Sequence, residues 1–237
     1  GARKTNYQYL QTDLSSQQAS AGASNWTWDS NLGWQSDSGY DNSNISHMFK
    51  RGKGFDVLTP TTTGSGYQFI YHTCMGQTPE MMWMKRRDSS DNWQVYHKDL
   101  NGGTTSYNWY LNLNTTAKEA ESGGNMWGLS NPPDETTVVI LDSYFGGAGD
   151  YLLLLFSSVT GISKVGSYTG NGNTGQTITT GFQPRFLIIK SITSSTLRSW
   201  YVFDTTRGWA SGNDKWLELN DDAGQFDYNV GQPTSTG

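Results

Sequence analysis

The chain has 237 residues, enough for one large domain or two ordinary ones, and carries a net charge of −5 with an isoelectric point near 5.1. That acidity argues against a nucleic-acid groove, which needs clustered positive charge. The single cysteine, Cys74, excludes an internal disulfide and a metal site built on several thiolates. Aromatic residues make up 14%, Lys, Glu and Ala are sparse, and β-branched and aromatic runs alternate with Gly/Asn/Ser/Thr clusters, which is the composition of an all-β protein.

Residues 6–11 are predicted as a short strand with Tyr7 and Tyr9 on one face. Residues 14–23 are small and polar and read equally as loop or as a weak helical turn. From 24 to 46 the chain is Asn/Asp/Ser/Gly-rich, with Trp26, Trp28, Trp34 and Tyr40 embedded in it. Strands are predicted over 55–59, 67–72, 81–85 and 93–98, and 108–113 alternates as a half-buried strand would. Residues 115–121 suit one or two helical turns. The continuous apolar runs at 136–141 and 151–156 suit strands covered on both faces. Further strands are predicted over 164–169, 176–179, 185–190, 200–204 and 216–219, before a tail or connector at 231–237. The most apolar run, 152–156, is far too short to span a bilayer, and neither a signal peptide nor a membrane partner is expected.

Part of this order occurs twice. Pro79 and Pro184 lie 105 residues apart, Lys85 and Lys190 also 105, and Trp93 and Trp200 107. Each set reads as a Pro, an apolar run ending in Lys, then Trp-x-Val-aromatic. Downstream, Tyr110-Leu-Asn-Leu-Asn114 matches Trp216-Leu-Glu-Leu-Asn220 and, more loosely, Tyr9-Leu-Gln-Thr12. Upstream, Phe49 matches Phe156 and Phe55 matches Ile162. Such an internal repeat, with units of about 105 residues, exceeds the solenoid range of roughly 20–50. The expected architecture is therefore all-β, with tandem antiparallel β-sandwich repeats of jelly-roll or lectin-like form. The expected divisions are 1–53, the C-terminal part of one repeat; 54–160, a complete repeat; and 161–237, the N-terminal part of a further one. Partial units at both ends, and Gly1 in place of an initiator Met, suggest a piece of a longer polypeptide.

The chemistry-bearing motifs are weak. Gly170-Asn-Gly-Asn-Thr-Gly175 fits a dinucleotide pattern, but β-forming Gln176-Thr-Ile-Thr-Thr180 follows where a helix N-terminus is required, so it is read as a hairpin turn and no cofactor is expected. His97 and Asp204 occupy matching positions with different chemistry, no nucleophile elbow is present, and His47, His72 and His97 lack metal-ligand spacing. Asp134-Glu135 and Asp221-Asp222 are adjacent loop acids rather than carboxylates placed across a glycosidic bond. Asp29, Asp37 and Asp41 miss the calcium-loop pattern and are read as turn formers. Lys85-Arg-Arg87 is read as a strand end reaching solvent.

The ten tryptophans carry more information. Trp93 and Trp200 recur and are expected in a core, as is Trp83, which matches Ile188. Trp26, Trp34, Trp127 and Trp209 lie in polar, Gly-rich stretches that do not repeat. Trp26, Trp34 and Trp209 are the candidate ligand- or subunit-contact residues, because a flat ring offers contact area at low entropic cost. Their bland alternative is capping the ends of a sandwich.

The run 181–190, the Trp-x-Val-x-Asp-x-x-Arg-Gly sequence ending at Gly208, and Gly166-Ser-Tyr-Thr-Gly-Asn-Gly172 resemble a repeated domain of tailed-phage virion proteins of tail-fibre-like or structural type. The resemblance covers essentially the whole chain. It implies a lectin-like or SPRY-like β-sandwich in a virion, a non-enzymatic fibre, appendage or decoration component. The implied partners are other virion subunits, a homo-oligomer and a host-surface glycan. The alternative is a depolymerase module acting on surface polysaccharide. Residues 97–101 depart from the pattern of Asp204-Thr-Thr-Arg-Gly208, so an Asp/Arg role does not extend to the middle unit.

Overall fold

The computed structural model describes residues 8–20, 26–30, 33–36, 45–130, 132–194 and 198–237, with 26–30 and 33–36 described by backbone alone. Its elements are strands and short 3-10 turns. In chain order the strands are β1 (Gln8–Tyr9), β2 (Ala19–Ser20), β3 (Trp26–Ser30), β4 (Gly33–Ser36), β5 (Phe55–Leu58), β6 (Thr61–Thr62), β7 (Tyr67–Tyr71), β8 (Met81–Arg86) and β9 (Gln94–His97). They continue with β10 (Trp109–Asn112), β11 (Ala120–Glu121), β12 (Thr137–Leu141), β13 (Gly149–Phe156), β14 (Phe186–Ile189), β15 (Tyr201–Asp204), β16 (Asp214–Glu218) and β17 (Phe226–Tyr228). Among the described residues no helix is long and apolar enough to cross a membrane.

The largest sheet runs β11-β10-β9-β8-β13-β5, with β6 also on β13, and every pairing in it is antiparallel. Both faces of its centre are apolar, because successive strand residues point to opposite sides and both sides are covered. Met82, Met84, Tyr96, Tyr151, Leu153 and Leu155 enter one core, where the two-stranded sheet of β7 and β12 contributes Ile70, Val138 and Ile140. This is a sandwich-like layering of sheet on sheet. Trp83, Val95, Leu111 and Phe156, pointing the other way, enter a second core that also holds Val165 and Trp200. The apolar run of β13 thus serves both cores at once.

The four-stranded sheet β14-β15-β16-β17 is an antiparallel meander, like β8-β9-β10-β11. The registers correspond: Leu187 faces Phe203 as Met82 faces Tyr96, and Val202 faces Leu217 as Val95 faces Leu111. The last ladder occurs three times, with Tyr9 opposite Ala19, Tyr110 opposite Ala120 and Trp216 opposite Phe226.

Several local expectations are corrected. Residues 115–119 form no helical turn, while 14–18 take the loop alternative; both cross between strands, their amides and carbonyls bonding to other segments. Residues 164–169 and 176–179 are not strands, since no neighbouring strand pairs with them. The polar stretch after residue 24 contains the β3–β4 hairpin. Lys85 is fully buried rather than a strand end reaching solvent.

Candidate functional site

The residues that recur most faithfully meet where one ladder packs on the next. Trp93 precedes β9 and Trp200 precedes β15, and each ring is 3% exposed. The Trp93 amide donates to Asn114 Oδ1 (3.1 Å) and its carbonyl accepts from Leu113 N–H (3.0 Å). The Trp200 amide donates to Asn220 Oδ1 (2.7 Å) and its carbonyl accepts from Leu219 N–H (3.0 Å). The indoles then reach backward along the chain, Trp93 Nε1 donating to the Gln11 carbonyl (2.8 Å) and Trp200 Nε1 to the Asn112 carbonyl (3.0 Å). Gln11 and Asn112 are the same position of the matched Tyr-Leu-x motif.

Two backbone bonds frame each indole contact. Asp91 N–H donates to the Ser15 carbonyl and Gln18 N–H to the Arg87 carbonyl; Arg198 N–H donates to the Thr116 carbonyl and Glu119 N–H to the Ile192 carbonyl. Each residue in the first set matches its counterpart in the second at a spacing of 101 to 107. A segment of polar backbone that would otherwise lie bare at a sheet edge is satisfied by the following ladder. Leu10, Ile188 and Leu219 complete the apolar packing around these bonds.

Lys85 and Lys190 sit beside these contacts, and among the described residues their ammonium groups bond to backbone carbonyls rather than carboxylates. Lys85 Nζ donates to the Arg86 carbonyl (2.7 Å) and the Ser89 carbonyl (3.4 Å). Lys190 Nζ donates to the Thr116 carbonyl (2.9 Å) and to that of Arg198, so it bridges the two ladders. Burial lowers the pKa of both, that of Lys190 to about 8. Carbonyl dipoles are what hold these cations in place.

The predicted contact residues separate. Trp26 and Trp34 fall in β3 and β4, and their side chains lie outside the described residues. Trp209 does not face solvent: it is 7% exposed, packs 6.0 Å from Phe203, and its Nε1 donates to the Gly231 carbonyl (3.1 Å). Trp127 is likewise buried, 6.0 Å from Tyr96 and 4.8 Å from Phe145. Phe203 and Tyr96 are matching positions, so rings from two different loops fill the same place on the two ladders.

Sequence reasoning missed the outer face of β7. Ile70 points inward, which leaves Phe69 (55% exposed) and Tyr71 (71% exposed) pointing out, opposite Val139 and Thr137 of β12. The signal was present in Tyr67-x-Phe69-x-Tyr71, an aromatic at every second residue.

Several ionisable groups hold turns and strand ends together. Glu80 resists the effect of burial and keeps a lowered pKa through bonds from Lys98 (2.5 Å) and the Ser158 amide (2.6 Å). It lines an open cleft of about 520 Å³ with Thr78, Lys98, Pro133 and Ser157. Asp204 pairs with Arg207 (2.6 Å), both largely buried, where His97 and Leu100 stand in the matching turn. Asp214 accepts from the amides of Ala210, Val230 and Gly231, which ties the Trp209 loop to the strand end. Burial lowers the pKa of both His47 and His97. Among the described residues no group of three His, Cys, Asp or Glu suits a metal ion. Gly170–Gly175 is a turn in which the Asn173 amide bonds to Asn171, and no helix follows it.

No curated protein and no solved structure matches the chain. The model of a domain of unknown function, DUF7483, matches residues 5–233 as one stretch, and the chain belongs to that family.

Proposed function

We propose that the chain is a non-enzymatic structural protein of a phage virion, a fibre, appendage or decoration component built of tandem antiparallel β-sandwich units of about 105 residues joined end to end. The observation that carries this reading is the recurrence of one joint. The Trp93 indole on Gln11 and the Trp200 indole on Asn112 are framed by the same two backbone bonds. A protein that repeats its inter-unit contacts gains length without new recognition chemistry. The carboxylates also support a structural role, because Glu80, Asp204 and Asp214 are each spent on holding a turn or strand end. The outer face of β7, with Phe69 and Tyr71, is the surface for a host glycan, since flat exposed rings stack on sugars.

The test is immunogold electron microscopy of intact particles with antibody against the chain. Labelling at a tail or capsid feature supports the reading, and label confined to non-particle protein overturns it. Release of reducing ends from capsule or lipopolysaccharide by the purified chain would instead establish the depolymerase alternative.

A further inference from the structure

The cleft beside Glu80 is lined by residues between 77 and 158, and its charged pair is not needed to build the ladder that carries it. Glu80 precedes β8 and Lys98 follows β9, so the two flank one end of the β8–β9 pair, where Met81 faces His97. The backbone closes that end by itself, Lys98 N–H donating to the Glu80 carbonyl (2.8 Å). The four-stranded sheet makes the same bond at the matching positions, from Thr205 N–H to the Arg185 carbonyl (3.0 Å). Thr205 is uncharged, so no ion pair accompanies the bond there. The Glu80–Lys98 pair is therefore an addition to a strand end that forms without it.

The pair also has bonding capacity to spare. Glu80 accepts one bond on each oxygen, from Lys98 and from the Ser158 amide, while a carboxylate offers about four lone-pair sites. Among the described residues Lys98 spends one of its three donors, on Glu80. Both side chains are only half-buried. A donor and an acceptor thus stand side by side at the cleft and together carry no net charge. Such a pair suits hydroxyl groups, which accept and donate through one oxygen. An anion would be turned away by Glu80 and Glu135, and a cation would have to displace Lys98. The walls are stiff. Pro132 and Pro133 have fixed φ, and Thr105, next to Ser106 of the lining, holds a left-handed backbone (φ 50) that is costly for a β-branched residue. The volume, about 520 Å³, lies in the range of small-ligand sites.

We infer that this cleft is a saccharide-binding site for an uncharged sugar residue with two neighbouring free hydroxyls, one donating to Glu80 and one accepting from Lys98. The inference rests on the reading of the chain as contacting a glycan, and it adds a second site of different chemistry. The β7 face offers rings for stacking, whereas the cleft reads hydroxyl positions. The two adjoin along the chain: Tyr71 lies opposite Thr137 of β12, and Glu135, just before that strand, lines the cleft.

The test is titration of the isotope-labelled full chain with maltohexaose, cellohexaose, mannohexaose and chitohexaose, read in the backbone amide spectrum. At least one of them should saturably shift the amides of Lys98, Gly103, Ser106 and Ser158. Glu80→Gln with Lys98→Gln keeps an acceptor for the Ser158 amide and should melt near wild type, while affinity at the cleft falls by about tenfold or more. Lys98→Thr, which copies Thr205 and so suits the strand end, should weaken binding in the same direction. Phe69→Ser with Tyr71→Ser should leave the cleft shifts in place. Shifts confined to β7 and β12 overturn the cleft and leave the β7 glycan surface standing. Cleft amides that answer inorganic phosphate but none of the sugars, or sugar affinity unchanged in both Lys98 variants, also overturn the inference. No shift anywhere, together with unreduced cell binding by the β7 variant, overturns both sites.

Discussion

Trp200 and Trp209 lie nine residues apart, one in a recurring motif and one in a polar loop, yet both rings are buried and both indoles are hydrogen-bonded. Replacing either with Ala opens a ring-sized cavity and should cost about 3–5 kcal/mol. In thermal melts the first transition, that of the four-stranded sheet, should fall by similar amounts in the two variants, and a Trp209→Ala protein that melts like wild type would show its ring to be dispensable. Sequence reasoning placed Trp209 in solvent because Gly208 and Ala210-Ser-Gly-Asn213 are small and polar. What buries the ring is the closure of that loop by Asp214 on the amides of residues 230 and 231, a long-range event that no local window contains. Lys190 yields a second prediction. Its pKa in the folded chain, about 8, lies below the ordinary 10.5, so between these values the unfolded chain binds more protons. The penalty for burying the charged amine is therefore complete below about pH 8 and is relieved as pH rises toward 10.5. The melting-temperature difference between Lys190→Met and wild type should shift in favour of wild type across that window, and a difference independent of pH would show that the amine does not titrate there.

Strands were legible wherever period-two alternation or a continuous apolar run was flanked by turn residues, as at β7, β8, β12 and β13. The helical expectation at 115–121 failed, and at 14–18 the loop reading rather than the weak helical turn holds, for one reason. Small residues with Lys, Glu and Gln favour helix in isolation, but here the backbone groups of Ser15, Gln18, Thr116 and Glu119 are claimed by the next ladder. The outer face of β7 is an element-scale site. Ile70 fixes the orientation of the strand, so Phe69 and Tyr71 can be changed with little effect on stability. Phe69→Ser with Tyr71→Ser should leave the melt within about 0.5 kcal/mol of wild type and reduce binding to host cells or their surface polysaccharide. Unchanged binding would remove β7 as the glycan surface.

At the scale of the molecule, the second core decides how the sheets behave together. Trp83, Val95, Leu111 and Phe156 come from the large sheet, while Trp200, Ile188 and Leu219 come from the four-stranded one or its edges, and all pack in a single cluster. The four-stranded sheet has less to rely on elsewhere. Its residues Leu187, Ile189, Tyr201 and Trp216 are only half-buried, whereas the matching Met82 and Met84 are covered by β7 and β12. Its stability therefore comes largely through the shared core, and wild type should unfold in one calorimetric transition. Loss of the Trp200 ring removes both the central packing of that core and the indole bond to Asn112. Trp200→Ala should accordingly split the transition, with the four-stranded sheet melting first and the large sheet, whose other core is untouched, staying near its original temperature. Hydrogen exchange read at the split should find protection lost at Leu217 and Leu219 while Leu153 and Leu155 remain protected. A Trp200→Ala protein that still melts in a single transition, with uniform exchange, would mean the two sheets are bound by contacts outside this core.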